Sequence, residues 1–197
     1  MALQTPAAVA RTFRSFIDRA WAIQRDPRIE YILFFKNHGR QAGASLRHPH
    51  AQMMALPMVP NEVRVRADQA RMHFDEVGTC AYCEMLQHER VDGRRIILES
   101  EHFVAFTPYA SVSPFHIWIV PTNHVASFFH ADTAEIDDLG EIMHAVMRRL
   151  YVGLNNPDYN YVIRSAPVRD LGSPYLHWYI TVVPRISLAA GFELGSG

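Results

Sequence analysis

Apolar residues recur at helical spacing near the start of the chain. The positions that share one face are Phe13, Phe16, Ile17, Ala20, Trp21 and Ile23. Charged side chains stand between them, a pattern typical of an amphipathic helix with one buried face. Thr5 before Pro6 is a cap followed by a proline at the first helical position, and Asp26-Pro27 ends the pattern. The sequence therefore predicts a helix of about five turns.

Short apolar and aromatic runs bounded by turn residues predict strands in the rest of the chain. These runs cover residues 31–36, 48–52, 95–98, 103–106, 115–120, 161–163 and 177–184. Asp132 and Glu135 form a capping-box pattern, which introduces a second amphipathic helix with Leu139 and Leu150 on its apolar face. Together these elements indicate an α+β fold.

The same series of elements occurs twice: a helix, a break that ends in proline, a strand, a loop and a strand that begins with histidine. His177 follows His48 by 129 residues, and Pro157 follows Pro27 by 130. We therefore predict a duplicated unit, whose first copy is incomplete because it lacks everything that the second has before its helix. The expected division is a first unit over residues 1–60, a linker over 61–73 and a second unit over 74–197.

Composition excludes several classes of function. The chain is 49% hydrophobic and 20% charged, with a net charge of -1, so no global charge favours nucleic acid or a membrane surface. No apolar run approaches the roughly 20 residues that span a bilayer. The N-terminus lacks the basic start and apolar core of a signal peptide. Because there are only two cysteines, we expect a cytoplasmic protein rather than a secreted disulfide framework.

Those two cysteines, Cys80 and Cys83, have a spacing typical of a metal or redox site. His124 follows the end of a predicted strand and His177 begins another. Two such histidines would complete a tetrahedral Cys2His2 set, and a set with no open position is structural rather than catalytic. The alternatives are a redox pair for the cysteines and a capping or core position for each histidine.

A second candidate site is the run His48-Pro49-His50-Ala51-Gln52. In an extended strand, His48, His50 and Gln52 share one face. A possible nucleophile then lies beside an amide donor. Imidazole can attack phosphorus and later leave, which divides one transfer into two steps. The alternative is a pair of surface histidines beside a proline.

Small residues upstream of this run predict a phosphate site. Asn37 follows a predicted strand, and the loop after it contains Gly43 and Ser45. The backbone N–H groups of such a loop can approach an anion closely. The arrangement is that of a phosphate site facing a histidine.

These stretches resemble the galactose-1-phosphate uridylyltransferase family of the histidine-triad superfamily, over nearly the whole chain. The active-site stretches are Phe35-Lys36-Asn37-His38-Gly39, Gly43-Ala44-Ser45 and His48-Pro49-His50-Ala51-Gln52. The second half resembles the branch that includes plant-type ADP-glucose phosphorylase. Its matching stretches include Cys80-Ala81-Tyr82-Cys83, His177-Trp178-Tyr179, Pro184-Arg185 and Gly191-Phe192-Glu193.

The resemblance implies a histidine-triad-like antiparallel sheet with helices packed on it, and a nucleotidyltransferase that forms a covalent nucleotidyl-histidine. His50 would be the nucleophile, and Gln52 would hold a nonbridging phosphate oxygen. Asn37, Gly43 and Ser45 would contact the phosphates. The ligands of one structural Zn²⁺ per chain would be Cys80, Cys83, His124 and His177.

The implied substrates are a nucleotide sugar and a sugar 1-phosphate or phosphate. Phe192 and Glu193 match positions that reach the sugar in a partner subunit's site, which implies a homodimer. His48 matches a zinc ligand but has no visible co-ligands, so no metal is expected there. Two alternatives stay open: a dinucleoside polyphosphate phosphorylase or hydrolase, and a non-catalytic, zinc-stabilised nucleotide-binding domain.

Overall fold

The computed structural model describes residues 1–46 and 48–186. Its helices are α1 (Pro6–Ile23), α2 (Asn61–Val77), α3 (Ala81–Asp92) and α4 (Thr133–Gly153). Its strands are β1 (Tyr31–His38), β2 (Gln52–Leu56), β3 (Ile96–Glu99), β4 (Phe103–Phe106), β5 (Ile117–Pro121), β6 (Tyr159–Arg164) and β7 (Tyr179–Pro184). Phe192 and Glu193, the predicted sugar-binding residues, lie outside the described residues. No helix in the described part is long and apolar enough to cross a membrane.

The seven strands form one antiparallel sheet in the order β2-β1-β6-β7-β5-β4-β3. The second and third strands of this order, β1 and β6, pair with Phe34 opposite Ile163. Because β1–β2 and β6–β7 are the corresponding pairs of the repeat, the two copies are related by an approximate two-fold axis between β1 and β6. The predicted α+β fold, an antiparallel sheet with helices packed on it, is confirmed, and a helix followed by two strands occurs twice, as α1-β1-β2 and α4-β6-β7.

Helices α1 and α4 cover one face of the sheet and enclose the main core. Alternate residues of the central strands point toward these helices, including Phe34 and Ile163, which are both fully buried. The helices approach closely at Gly140, where an added Cβ would lie 2.8 Å from both the Ala10 Cβ and the Pro6 carbonyl oxygen. Glycine at this position therefore permits the close packing through which the two copies share one core.

Helices α2 and α3 cover only part of the opposite face. Leu86 of α3 shares a buried apolar cluster with Val104 and Tyr179. The segment expected to be a linker with helical turns is one continuous helix, α2, which ends at Gly78 with a φ of 80°. Helix α3 is not predicted from the sequence, because polar residues interrupt its short apolar stripe. At the β2 end of this face Met54 is 50% exposed, so the sheet is open there.

The segment 48–52 differs from its predicted conformation. Strand β2 begins at Gln52, and the residues from His48 to Ala51 precede it outside any strand. Pro49 has no N–H to donate to a neighbouring strand. Pairing with β1 therefore starts only at Gln52, opposite Phe35. Side-chain alternation therefore does not place the two histidines, and their positions depend on local hydrogen bonds.

The capping box of α4 is present as predicted, and its removal is a test of local stability. Asp132 Oδ1 accepts a 2.9 Å hydrogen bond from the Glu135 N–H, and Glu135 Oε2 accepts one of 2.9 Å from the Asp132 N–H. We expect Asp132→Ala to lower the free energy of unfolding by about 1 kcal/mol, because one helix N–H loses its acceptor. Urea denaturation measures this. Glu141→Ala, at an exposed α4 position, should stay within about 0.5 kcal/mol, and an equal loss in both variants would contradict the role of the cap.

Candidate active site and metal centre

The loop after β1 reverses direction through two glycines in the left-handed conformation. Gly39 has a φ of 82° and Gly43 one of 80°. The Gly43 N–H donates to the Arg40 carbonyl at 3.1 Å, and the Ala44 N–H donates to the Gly39 carbonyl at 3.0 Å. Both N–H groups are used within the turn and are not oriented toward an anion, unlike the expectation from the sequence. Ser45, at the end of this loop, is exposed.

Asn160 of β6 holds this loop against β1. Its Nδ2 donates to Asn37 Oδ1 and to the Ala42 carbonyl oxygen, both at 2.8 Å. Its Oδ1 accepts a 2.6 Å hydrogen bond from Arg185 Nε. Because the Asn37 oxygen already accepts a hydrogen bond, the Asn37 amide nitrogen is the group left to donate to a ligand.

The predicted phosphate-binding residues meet around one open cavity of about 580 Å³, lined in part by Asn37, Ser45 and His48. Gly43 faces the same amide, since a Cβ at that position would lie 4.0 Å from Asn37 Nδ2. Pockets of this size hold cofactor-sized and nucleotide-sized molecules. The structure therefore brings these three predicted residues to one site, next to the first histidine of the run.

The His50 ring is oriented by the backbone. His50 Nδ1 lies 2.9 Å from the His48 carbonyl oxygen, which can only accept. Nδ1 therefore carries the proton, and the lone pair is on Nε2. Lys36 Nζ donates to the His50 carbonyl oxygen at 2.7 Å, which fixes the backbone that carries the ring. Lys36 is buried, and burial lowers its pKa.

Gln52 shares a face of the sheet with Asn37. Gln52 lies opposite Phe35, and Asn37 is two residues further along β1, so both amides project from the side that α1 and α4 leave free. Gln52 Oε1 is buried and has no hydrogen-bond partner among residues 1–46 and 48–186. The two amides therefore project from the open part of the sheet, and His50 precedes Gln52 by two residues.

Gly39 is the position of the loop that tolerates a side chain least. An added Cβ would lie 1.7 Å from Asp158 Oδ1, and Asp158 Oδ2 accepts a 2.6 Å hydrogen bond from the Gln41 N–H. We expect Gly39→Ala to lower the free energy of unfolding by about 2–3 kcal/mol, through the clash and the positive φ. Urea denaturation measures it. Gly172→Ala, where an added Cβ meets no atom within 4 Å, is the matched control; equal stability of both variants would refute the predicted strain.

Four metal-ligating side chains converge at the other end of the same face. The group consists of Cys80, Cys83, His124 and His177, whose ligand atoms all lie within 4.8 Å of one another. Cys83 Sγ is 3.4 Å from the Nδ1 atoms of both histidines. A tetrahedral ion with about 2.3 Å bonds to sulfur and 2.0 Å bonds to nitrogen needs an S···N distance of about 3.5 Å. The predicted set therefore comes together with a geometry that can hold a metal ion.

The surroundings orient each ligand toward the centre of the group. His177 Nε2 donates to the Pro121 carbonyl at 3.1 Å, and His124 Nε2 donates to the Ser173 carbonyl at 3.3 Å. Both Nδ1 lone pairs therefore face the thiols. In metal sites, a hydrogen bond from the other ring nitrogen orients a histidine ligand in the same way. A hydrogen bond from Cys83 lowers the pKa of Cys80. Thiolate character at Cys80 suits metal coordination.

A histidine oriented beside a polar loop, an antiparallel sheet and a Cys2His2 group are the features that the resemblance to the histidine-triad superfamily implied. The chain belongs to the family described as "Domain of unknown function (DUF4921)", whose model matches residues 11–197. The predicted resemblance to the galactose-1-phosphate uridylyltransferase family, on the side of ADP-glucose phosphorylase, is also confirmed by the relatives that it matches.

Two curated relatives and one crystal structure are similar to this chain over nearly its whole length. The chain is 39% identical over 194 residues to ADP-glucose phosphorylase of Arabidopsis thaliana, across 98% of this chain and 54% of that protein. It is 27% identical to galactose-1-phosphate uridylyltransferase of Thermotoga maritima, across 89% of this chain and 55% of that protein. A crystal structure of the Arabidopsis phosphorylase with bound ADP-glucose superimposes with a TM-score of 0.91 at 37% identity, over 100% of this chain and 63% of that one. The chain thus spans about half the length of the curated relatives it matches.

The side chains that hold Asn37 and His50 in position were not predicted from the sequence. Asn160 lies far along the chain from Asn37, and no local pattern marks it. Arg185 belongs to the Pro184-Arg185 stretch of the resemblance, but that stretch does not predict its contact with Asn160. Lys36 is part of the stretch that resembles the family, but its contact with His50 depends on the course of the chain between β1 and β2. The signal that could have found Asn160 is the repeat, which predicts that β6 is the partner of β1.

Proposed function

We propose that this chain carries the reacting half of a nucleotidyltransferase that acts on a nucleotide sugar. The observation that supports it most is the hydrogen bond between His50 Nδ1 and the His48 carbonyl, 2.9 Å long, which leaves Nε2 as a nucleophile. The open cavity beside His48 and the amides of Asn37 and Gln52 support the same assignment, since phosphate oxygens need donors on several sides.

In the proposed reaction, His50 Nε2 attacks the α-phosphorus of the nucleotide sugar. The bond from that phosphorus to the bridging oxygen breaks, and the sugar phosphate leaves with the bond electrons. Asn37, Gln52 and Ser45 donate hydrogen bonds to nonbridging oxygens, where negative charge builds up. In the second step a phosphate or sugar 1-phosphate oxygen attacks the same phosphorus, and His50 leaves as the neutral imidazole that started the cycle.

The names of two relatives support the proposed substrate class. The Arabidopsis relative is named ADP-glucose phosphorylase, and the Thermotoga relative galactose-1-phosphate uridylyltransferase. We propose a nucleotide sugar as donor and phosphate or a sugar 1-phosphate as acceptor. Phe192 and Glu193 are proposed to reach the sugar across a homodimer interface, a state that size-exclusion chromatography with light scattering measures.

We further propose that the Cys2His2 group holds one structural Zn²⁺. Two thiols and two imidazoles form a closed tetrahedral set, in the ligand types that zinc prefers. When bound, the ion would join α3 to the chain before β7 through Cys83 and His177, and no chemical step involves it. Unbridged thiols at Cys80 and Cys83 suit a cytoplasmic location, where such thiols stay reduced.

The test is intact-mass spectrometry after incubation with ADP-glucose or UDP-glucose and no acceptor. We expect a mass increase equal to one nucleoside monophosphate, which disappears when phosphate or glucose 1-phosphate is added. His50→Ala should form no adduct, whereas His88→Ala, at an exposed α3 position, should form it as the parent does. An adduct that persists in His50→Ala would refute the assignment of the nucleophile.

A non-catalytic role is the second candidate, and one observation favours it. The cavity lined by Asn37, Ser45 and His48 is not lined by His50 or Gln52 among the described residues. Nucleotide binding by calorimetry without any adduct or turnover would support a zinc-stabilised binding domain. Turnover of diadenosine polyphosphates in place of nucleotide sugars would identify a dinucleoside polyphosphate phosphorylase or hydrolase instead.

A further inference from the structure

A second polar cleft lies between α2 and the sheet, on the face that also carries the metal-ligating group. Its walls include Tyr31 of β1, Arg66 of α2, Arg164 of β6 and Tyr179 of β7, and it encloses about 40 Å³. A cavity needs a volume of roughly 10–15 Å³ to hold a single water. The cleft therefore has room for a few waters or for one small tetrahedral anion.

The cleft is positively charged and lacks a matching negative charge. No carboxylate lines it among residues 1–46 and 48–186. Arg164 is half-buried and makes no salt bridge within that part of the chain, and the one ion pair of Arg66 is a 3.9 Å contact with Glu62, whose side chain is 83% exposed. A partly buried guanidinium without a counter-charge is costly, and an anion between the two would reduce that cost.

The Tyr31 hydroxyl is a second, independent indication of a ligand. Tyr31 is only 1% exposed, and its hydroxyl has no hydrogen-bond partner within the described ranges. A buried hydroxyl left without a partner costs about 1–3 kcal/mol. Burial raises the pKa of Tyr31, against the opposing effect of Arg164 and Arg66, so the group stays protonated and can donate.

We propose that this cleft binds one small oxyanion, a phosphate ion or the phosphoryl group of a sugar phosphate. Arg66 and Arg164 would supply charge-assisted hydrogen bonds from two sides, and the Tyr31 hydroxyl would donate a third. Tyr31 and Asn37 are six residues apart on β1, about 20 Å at the rise of an extended strand. This site is therefore separate from the proposed reacting centre.

The experiment is isothermal titration calorimetry with inorganic phosphate at constant ionic strength. The background is the Asn37→Ala/Ser45→Ala double variant, in which the active-site cavity has lost two phosphate donors. We expect saturable binding of one phosphate per chain. Adding Arg164→Met should weaken it by about tenfold or more, and adding Tyr31→Phe should weaken it about three- to tenfold. Arg148→Met, at an exposed position on the opposite side of the sheet, should leave it unchanged.

A parallel titration with glucose 1-phosphate distinguishes the two sources of the anion. Tighter binding than for phosphate assigns the cleft to a sugar phosphate, and weaker binding assigns it to the free ion. Absence of saturable binding in the double variant would overturn the proposal, as would equal affinity with and without Tyr31→Phe. Circular dichroism checks that Arg164→Met is folded. If it is not, Tyr31→Phe decides the question, because it removes one oxygen and no packing volume.

Discussion

Replacing His50 by alanine should lower the rate of nucleotidyl transfer by at least about 10³-fold, because the substitution removes the proposed nucleophile that forms the covalent bond to phosphorus. The ring is held by one hydrogen bond from Nδ1 to the His48 carbonyl, so the substitution removes the nucleophile and leaves the backbone in place. Initial rates of glucose 1-phosphate formation from ADP-glucose and phosphate measure the effect.

The loss should appear in kcat rather than in KM. Asn37, Ser45 and Gln52 still offer donors to the phosphates in His50→Ala, so the substrate can bind while the bond cannot form. His88→Ala is the control, since its side chain is 79% exposed and lies on α3. Full activity of His50→Ala would exclude a covalent histidine intermediate, and a purely KM effect would make His50 a binding residue.

Cys80→Ser should remove the bound metal and lower the free energy of unfolding by about 3 kcal/mol or more. Structural zinc contributes about 10–16 kcal/mol in zinc-finger peptides, so loss of one ligand from a closed set is costly even where a core remains. For a chain of this length that corresponds to a fall in Tm of roughly 6–12 °C. Elemental analysis and differential scanning calorimetry on the same samples measure both quantities.

The control for this prediction is Asn123→Ala, at an exposed position next to His124. It should keep one equivalent of metal and the parental Tm, because it alters the surface beside a ligand and not the ligand set. A folded parent protein without any metal would contradict the zinc assignment. A Cys80→Ser variant with the same Tm as the parent protein would also contradict it.

Local patterns were sufficient for the elements whose formation depends on neighbouring residues. The cap at Thr5 and helix α1 follow from apolar spacing, and the Thr5 hydroxyl does accept from the Ala8 N–H. The Asp132 capping box and α4 follow in the same way. The repeat then predicted the duplicated fold, because two copies of one pattern bury equivalent faces.

By itself, therefore, the sequence determined helices α1 and α4, the order of the strands, the repeat and the candidate residues of both sites, but not helices α2 and α3. It also selected the four side chains that could hold a metal, since ligand type and spacing are local properties. It predicted a single strand face for His48 and His50, whereas Pro49 delays the start of β2 to Gln52.

Only the tertiary structure decided how the sites are assembled. Asn160 meets Asn37 across 123 residues of sequence, because β6 pairs with β1 in one particular register. Arg66 and Arg164 share a cleft because α2 lies over β6. Contacts of this kind depend on the packing of distant elements, and no periodicity or spacing along the chain contains that information.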